Sequence, residues 1–303
     1  MKITLIGCGA IGKLWLAALT QKGHEAQGWL RVAQSDVFVD VNKPDGSVFR
    51  ELLPCNNMSH LNQSEFIIVC LKAWQVSGGL LPLLHHIPET SPILLLHNGM
   101  GTLDELGTLR HPFLFGVTTH GAWQNNNQVF HVANGITHIG AANLLAEPYY
   151  PIADILHEAL PDVAWHNQIL ATCWRKLAVN CVINPLTAVY DCKNGKLTDY
   201  PEQIQLLIDE ICQVMAMEGL HTDKALLVSY IYDIIQSTAD NYSSMLQDIR
   251  KKRRTEIDYI TGYLIKQARS YGLNTPENDR LYHLIKQQEE QNDGFSADMH
   301  HQW

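Results

Sequence analysis

Three polar side chains interrupt an otherwise apolar stretch in the second half of the chain. In residues 174–185, Lys176, Asn180 and Asn184 recur at i, i+4 and i+8 among Leu177, Val179, Val182 and Ile183. On an α-helix this spacing lines the three along one face and leaves the rest greasy. A polar stripe so narrow suits a wet cavity, although a helix edge that lets a lysine reach water would read the same way. Burial disfavours the charged form of an amine, so a desolvated Lys176 would have its pKa pulled down. It could then donate a proton to a nascent alkoxide near neutral pH.

A second constellation opens the chain. Gly7-Cys8-Gly9-Ala10-Ile11-Gly12 follows a run that reads as a strand and begins one that reads as a helix. In that context G-x-G-x-x-G has a mechanism. The first glycine allows the tight turn, the second lets the backbone approach a pyrophosphate, and the third permits close helix–strand packing. The helix N-terminus then faces the anion. The next strand-like run ends Gly28-Trp29-Leu30-Arg31, where a site for a bare ribose diol would carry Asp or Glu. The Arg31 guanidinium suits a 2′-phosphate instead, which favours NADP(H). Asp36, further on, is the alternative acid, and Arg31 would then be a surface residue.

Further candidates sit where ligands gather in doubly wound folds, at the carboxyl ends of the strands. Lys72 and Gln75 follow one such run, and His97-Asn98-Gly99-Met100-Gly101 follows another. Asn98 has both a donor and an acceptor, and its glycines would let backbone come close to a ligand; Asn-Gly is also a common turn pair. Asn194-Gly195 reads as a turn able to aim an amide at the cavity of the stripe. Asn241-Tyr242-Ser243-Ser244 ends one helical pattern and can cap the next, beginning near Met245. Glu256 begins another helix whose cap is Arg254 or Thr255, and spacing alone does not bring it to Lys176.

Positioning these groups takes two kinds of architecture. The first half alternates strand-like runs (2–6, 25–30, 66–71, 93–97, 113–118) with helical ones (11–22, 74–86), the pattern of a parallel sheet covered by helices. Gln128 to His131 and Ile136 to Ile139 around Asn134-Gly135 predict a hairpin that closes the sheet on an antiparallel edge. From about residue 165 the texture is helical, through 165–190, 201–219, 222–241 and 255–270. The expected organisation is α/β: a Rossmann-type doubly wound sheet over residues 1–165, followed by an all-helical substrate-binding domain over 166–303. The last fifteen residues, ending His300-His301-Gln302-Trp303, read as a frayed tail.

Composition narrows the function. The 303 residues carry 22 Lys+Arg against 31 Asp+Glu, a formal net charge of −9, which repels a polyanion and argues against nucleic-acid or anionic-membrane partners. The pentad 250–254, Arg-Lys-Lys-Arg-Arg, reads as a solvated helix face. Seven Cys without a C-x-x-C pair suit reduced thiols in a cytoplasmic protein, and 15 His without H-E-x-x-H or clustered spacing suggest no metal.

With these residues in view the chain resembles the ketopantoate reductase family from residue 1 to about 288. The segments carrying the likeness are GCGAIG, WLR, LKAWQV, HNGMGT, HVANGITHIG, WRKLAVNCVINPLTA, and SSMLQDIR followed by TEIDYI. The resemblance implies NADPH-dependent reduction of ketopantoate to (R)-pantoate, towards pantothenate and coenzyme A. It also implies a Rossmann domain, a helical domain and an active site in the cleft between them, in a monomer or homodimer. By matching motif, Lys176 resembles the family's proton donor. Asn180, Asn184, Asn194, Asn241 and Ser244 resemble its substrate contacts, and Asn98 the residue touching both cofactor and substrate. Glu256 resembles the acid that contacts the cofactor and helps order the lysine. Arg31 and Gln75 resemble the 2′-phosphate readers, and Lys72 and Ala122 further cofactor contacts. The run 250–254, and Asp191 and Lys193 beside Asn194, depart from the family pattern.

Overall fold

The computed structural model describes residues 1–107, 110–220 and 222–291. The chain divides into two compact units. Among the described residues, one comprises 1–97 and 102–173, and the other takes 98–101 together with 174–291.

The first unit contains eleven strands and five α-helices among its described residues, besides 3₁₀ turns. They run β1 (Lys2–Ile6), α1 (Ala10–Gln21), β2 (Glu25–Trp29), β3 (Asp36–Asn42), β4 (Val48–Pro54), α2 (Met58–Leu61), β5 (Phe66–Val69), α3 (Val76–Leu80), β6 (Ile93–Leu95) and α4 (Thr102–Leu106). There follow β7 (Phe113–Thr118), β8 (Gly121–Asn125), β9 (Gln128–Ala133), β10 (Thr137–Ala141), α5 (Ile152–Ala159) and β11 (Val163–Trp165). Seven strands form one sheet in the order β11-β10-β7-β6-β5-β1-β2. It is parallel except where β10 meets β7. Strand β5 is buried along its whole length, as its unbroken apolar run requires of a strand covered on both faces. Gln27 breaks that pattern in β2 and is nonetheless fully buried. Its amide is satisfied by Thr4 Oγ1 (3.0 Å), the Asn57 carbonyl (3.1 Å) and the Asn57 N–H (2.9 Å).

Strand β1 lies between β2 and β5, so successive crossovers leave it in opposite directions and its carboxyl end is the topological switch point of the sheet. This is the Rossmann-type arrangement expected. The helix expected over 74–86 is broken into a 3₁₀ turn (Ala73–Gln75), α3 and a second 3₁₀ turn (Leu81–His86). Gly78, Gly79 and Pro82 supply poor helix propensity and a missing donor within one stretch.

The expected hairpin around Asn134-Gly135 does not form. Strand β9 belongs to a second, four-stranded sheet (β4-β3-β9-β8), while β10 joins the main sheet, where β11 covers its other side. Asn134-Gly135 is a crossover between sheets; a Cβ on Gly135 would run into the backbone of Thr119 and His120. The antiparallel hairpin in this region is β8–β9, turning through Asn126 at φ 51°. Helix α1 packs between the two sheets, against β2, β3, β8 and β9.

The second unit is helical among its described residues. Its elements are α6 (Ile169–Val189, which starts in the first unit), a 3₁₀ turn (Asn194–Asp199), α7 (Pro201–Met217), α8 (Lys224–Ser237), α9 (Ser244–Arg250), a 3₁₀ turn (Ile257–Tyr259), α10 (Thr261–Ser270) and α11 (Pro276–Gln291). Helix α11 packs on α7 and α10. Its N-terminus is capped by the buried Glu210 carboxylate, which accepts from the N–H groups of Glu277 (2.8 Å) and Asn278 (3.0 Å). The expected frayed tail begins too early: Glu289, Glu290 and Gln291 complete α11, and the rest lies outside the described residues.

Candidate active site

The loop after β1 is shaped by steric necessity. Gly7 adopts φ 95°, and a Cβ there would lie 2.7 Å from Leu71 Cδ2. A Cβ on Gly12 would collide with the Gly7 carbonyl oxygen, so only glycine lets α1 start this close to the loop. Gly9 instead faces open space and is the N-cap of α1, with no side chain capping the helix. The first-turn N–H groups of Ala10, Ile11 and Gly12 are therefore available to an anion. Burial pushes the Cys8 thiol up to about 12, so it stays neutral beside such a ligand. The loop fits the pyrophosphate of a dinucleotide.

The neighbouring strand ends carry the other cofactor candidates of this unit. Arg31 is exposed, two residues beyond β2. Just past it lies a cavity of about 460 Å³ lined by Ala33, Gln34, Ser35, Pro54, Cys55, Asn56 and Asn57. The buried Asn56 Oδ1 at its wall has no partner. Asp36, the alternative acid, begins β3 of the second sheet and accepts from Ser35 Oγ at 2.6 Å. Lys72 and Gln75 follow β5, both half-buried, and Gln75 Oε1 accepts the Lys72 N–H (3.2 Å). Ala122 sits at the irregularity that opens β8 and is half-buried.

In the second unit the polar stripe lies on one helix, α6, as its spacing predicts. It is graded: Lys176 and Asn180 are half-buried, while Asn184 is 7% exposed. The loops facing its far end are tied together. Asn194 donates its backbone N–H to the Asn241 carbonyl (3.0 Å) and its Nδ2 to Thr238 Oγ1 (2.9 Å). Its Oδ1 is buried with no partner. Thr187, one turn beyond Asn184, bonds that residue's carbonyl (3.0 Å) and lies 2.6 Å from Ser243 Oγ. Ser243, not Ser244, caps α9 by accepting the Leu246 N–H (3.1 Å), so Ser244 is the first helical residue and exposed, as is Asn241.

Asn98 and Glu256, 158 positions apart, meet. Asn98 Nδ2 donates to Glu256 Oε2 at 3.2 Å, and the Met100 N–H to the Tyr259 carbonyl at 2.8 Å. The glycines flanking Met100 serve this contact. Gly99 (φ 82°) lies against the Tyr259 backbone, and a Cβ on Gly101 (φ 99°) would be 2.9 Å from the Tyr263 ring. Close approach here is to the protein itself, where the sequence had suggested a ligand. The Tyr263 ring contacts Trp174 on α6, two residues before Lys176, at 5.7 Å between centroids. Neither Thr255 nor Arg254 is the cap expected: Glu256 itself is the N-cap of the 3₁₀ turn Ile257–Tyr259, which no side chain caps, while Thr255 Oγ1 accepts the Ile257 N–H (3.1 Å).

Comparison with known proteins places this chain. The family model for ketopantoate reductase PanE/ApbA matches residues 3–143, and that for its C-terminal part matches residues 168–289. A 2-dehydropantoate 2-reductase of Yersinia pestis is 54% identical over 303 residues, all of both chains. This chain belongs to the ketopantoate reductase family. A second member, from Salmonella typhi, is 51% identical over the same full length. Among solved structures, D-mandelate dehydrogenase with NADH and anilino(oxo)acetate superposes with a TM-score of 0.88 at 25% identity, covering 97% of this chain and 100% of that one. The family is one of oxidoreductases.

Of the departures from the family pattern, Asp191, Lys193 and Arg250 pair with their surroundings; the run 250–254 is not the helix face expected, because α9 ends at Arg250 and the chain turns at Lys252 (φ 53°). Asp191 and Arg250 form an ion pair at 2.8 Å, with Arg250 stacked over Tyr242 at 4.3 Å, and Lys193 reaches Asp240 at 3.0 Å. These pairs flank Asn194 and Asn241, but their carboxylates are 69% and 97% exposed, so each contributes little. Asp191→Asn, which removes the charge but keeps a residue type tolerant of the left-handed backbone there (φ 45°), should therefore leave the KM for substrate within about twofold and the melting temperature nearly unchanged; a tenfold KM change would make the pair part of the site.

Two structural features carried no sequence signal. Lys13, on α1, is 4% exposed and reaches the Asn127 carbonyl at 3.2 Å, tying α1 to the β8–β9 turn. His120 and His131 form a buried pair, Nδ1 to Nε2 at 3.0 Å, with the Gly135 N–H donating to the same His120 Nδ1 (3.1 Å). Burial, with His131 alongside, pushes the His120 imidazole down from the usual 6.5 to about 4. As pH falls, the unfolded chain takes up this proton first, so stability present above the unfolded value drains away toward the folded one. The melting temperature should fall between about pH 7 and pH 5, less steeply in His120→Gln; parallel slopes would remove His120 from that dependence.

Among the described residues no group of three or more His, Cys, Asp or Glu could hold a metal ion, and no helix is long and apolar enough to cross a membrane.

Proposed function

We propose that this chain reduces ketopantoate to (R)-pantoate with NADPH, using Lys176 as the proton donor. The observation that carries the substrate assignment is 54% identity, without truncation of either chain, to a 2-dehydropantoate 2-reductase. A nicotinamide cofactor is supported by the cradle at Gly7, Gly9 and Gly12 and by the NADH named with D-mandelate dehydrogenase. When bound, the nicotinamide supplies a hydride to the C2 carbonyl of the keto acid.

The chain's own residues do the rest. The N–H groups at the start of α1 hold the pyrophosphate, and Arg31 and the Gln75 NH₂ read the 2′-phosphate, with Lys72 and Ala122 completing the cofactor contacts. The Lys176 ammonium hydrogen-bonds the C2 oxygen, stabilises the charge that develops there and gives up its proton. Asn180, Asn184, Asn194, Asn241 and Ser244 orient the substrate's carboxylate and hydroxyl, which lowers the barrier by positioning. Asn98, paired with Glu256, contacts both cofactor and substrate, and Glu256 contacts the cofactor and helps order the lysine.

A panel of 2-keto acids with NADPH and NADH tests this reading. Ketopantoate with NADPH is expected to give the highest kcat/KM. A preference for a mandelate-type aromatic keto acid, or for NADH, would contradict it.

A further inference from the structure

Beneath the Asn98–Glu256 pair lies a second carboxylate that the proposed chemistry does not use. Glu289, in the last turn of α11, is only 4% exposed. Its Oε1 accepts two hydrogen bonds from one residue, the Thr255 N–H at 2.8 Å and the Thr255 hydroxyl at 2.7 Å. Thr255 is fully buried, and its hydroxyl oxygen in turn accepts the Ile257 N–H. One carboxylate thus fixes the backbone on both sides of Glu256. The Glu289 Oε2 is held 2.8 Å from Lys286 Nζ, which also reaches Asp258 at 3.3 Å. Asp258 accepts further from the Tyr282 hydroxyl (2.8 Å) and Arg254 (3.1 Å). The turn bearing Glu256 is clamped along one side by Tyr282, Lys286 and Glu289, which recur along α11 at the spacing of a helix face.

Holding helices together does not call for this arrangement. A buried carboxylate carries a large desolvation cost, and well-packed apolar residues of similar volume commonly match or exceed such a pair in stability. What a charged acceptor adds is direction, because charge-assisted bonds to a backbone N–H are short and strong. We infer that Glu289 is a positioning residue that fixes the Thr255–Ile257 backbone and so aims the Glu256 carboxylate. This rests on the reading that Glu256 contacts the cofactor and orders Lys176.

A double-mutant cycle on the full chain tests it. Glu289→Ala is expected to lower kcat/KM for NADPH about tenfold, what losing a charged acceptor implies, with the same division between kcat and KM as Glu256→Gln. Glu289→Gln keeps the acceptor oxygen and should remain within about threefold of wild type. In the Glu256→Gln background the Glu289→Ala effect should vanish. Losses that multiply would overturn the inference, since Glu289 would then act independently of Glu256. Wild-type kinetics in Glu256→Gln would instead remove the reading beneath it. Should Glu289→Ala fail to fold, Thr255→Val, which deletes one of the two bonds, is expected to show the same division at smaller size; unchanged kinetics there would equally overturn it.

Discussion

Lys176→Ala is expected to lower kcat by about 100-fold or more with ketopantoate and NADPH, the range lost when a general acid is removed. The ammonium sits half-buried on α6, at the head of a stripe whose other members grade into the buried Asn184. Alanine is the best helix former, and the apolar face of α6, including Leu177, Ala178 and Val182, is untouched by the change. Melting temperature and the KM for NADPH should therefore move little while turnover collapses. Turnover within tenfold of wild type would take Lys176 out of the role and leave the stripe as substrate contacts alone.

Arg31→Ala should raise the KM for NADPH by roughly 10- to 100-fold, the value of a charge-assisted contact to a phosphate. Because NADH lacks the 2′-phosphate, its KM should stay nearly constant. Arg31 is exposed, beyond the end of β2, so the loss involves no packed core and the fold should be unaffected. Added salt should shrink the difference between the cofactors in the wild type by screening that contact. Equal effects on NADH and NADPH would overturn the assignment and return attention to the cavity beside Asn56.

Local chemistry was legible in the sequence where one segment held the whole signal. The GCGAIG loop needs only a strand before it and a helix after it, and the fully buried Phe66–Val69 strand announces itself by an unbroken apolar run. The Lys176 stripe required only a helical period. Signals that depend on a distant partner were misread. Asn134-Gly135 has hairpin chemistry, yet its glycine answers to the backbone of His120, which the local pattern does not contain. Gly99 and Gly101 likewise answer to Tyr259 and Tyr263, over 150 residues away. The β3–β4 hairpin was readable and passed over. Val37, Val39 and Val41 alternate with exposed or polar neighbours, and Lys43-Pro44-Asp45-Gly46-Ser47 supplies the turn. Glu289 was not readable at all, because a buried acid at the end of a polar helix has the composition of a frayed terminus.

The most direct test of the central claim is a crystal structure of the chain with NADP⁺ and pantoate bound. The account predicts Lys176 Nζ within about 3 Å of the C2 oxygen, as a donor must be. A lysine amine turned into bulk solvent, with the C2 oxygen held by other donors, would contradict it.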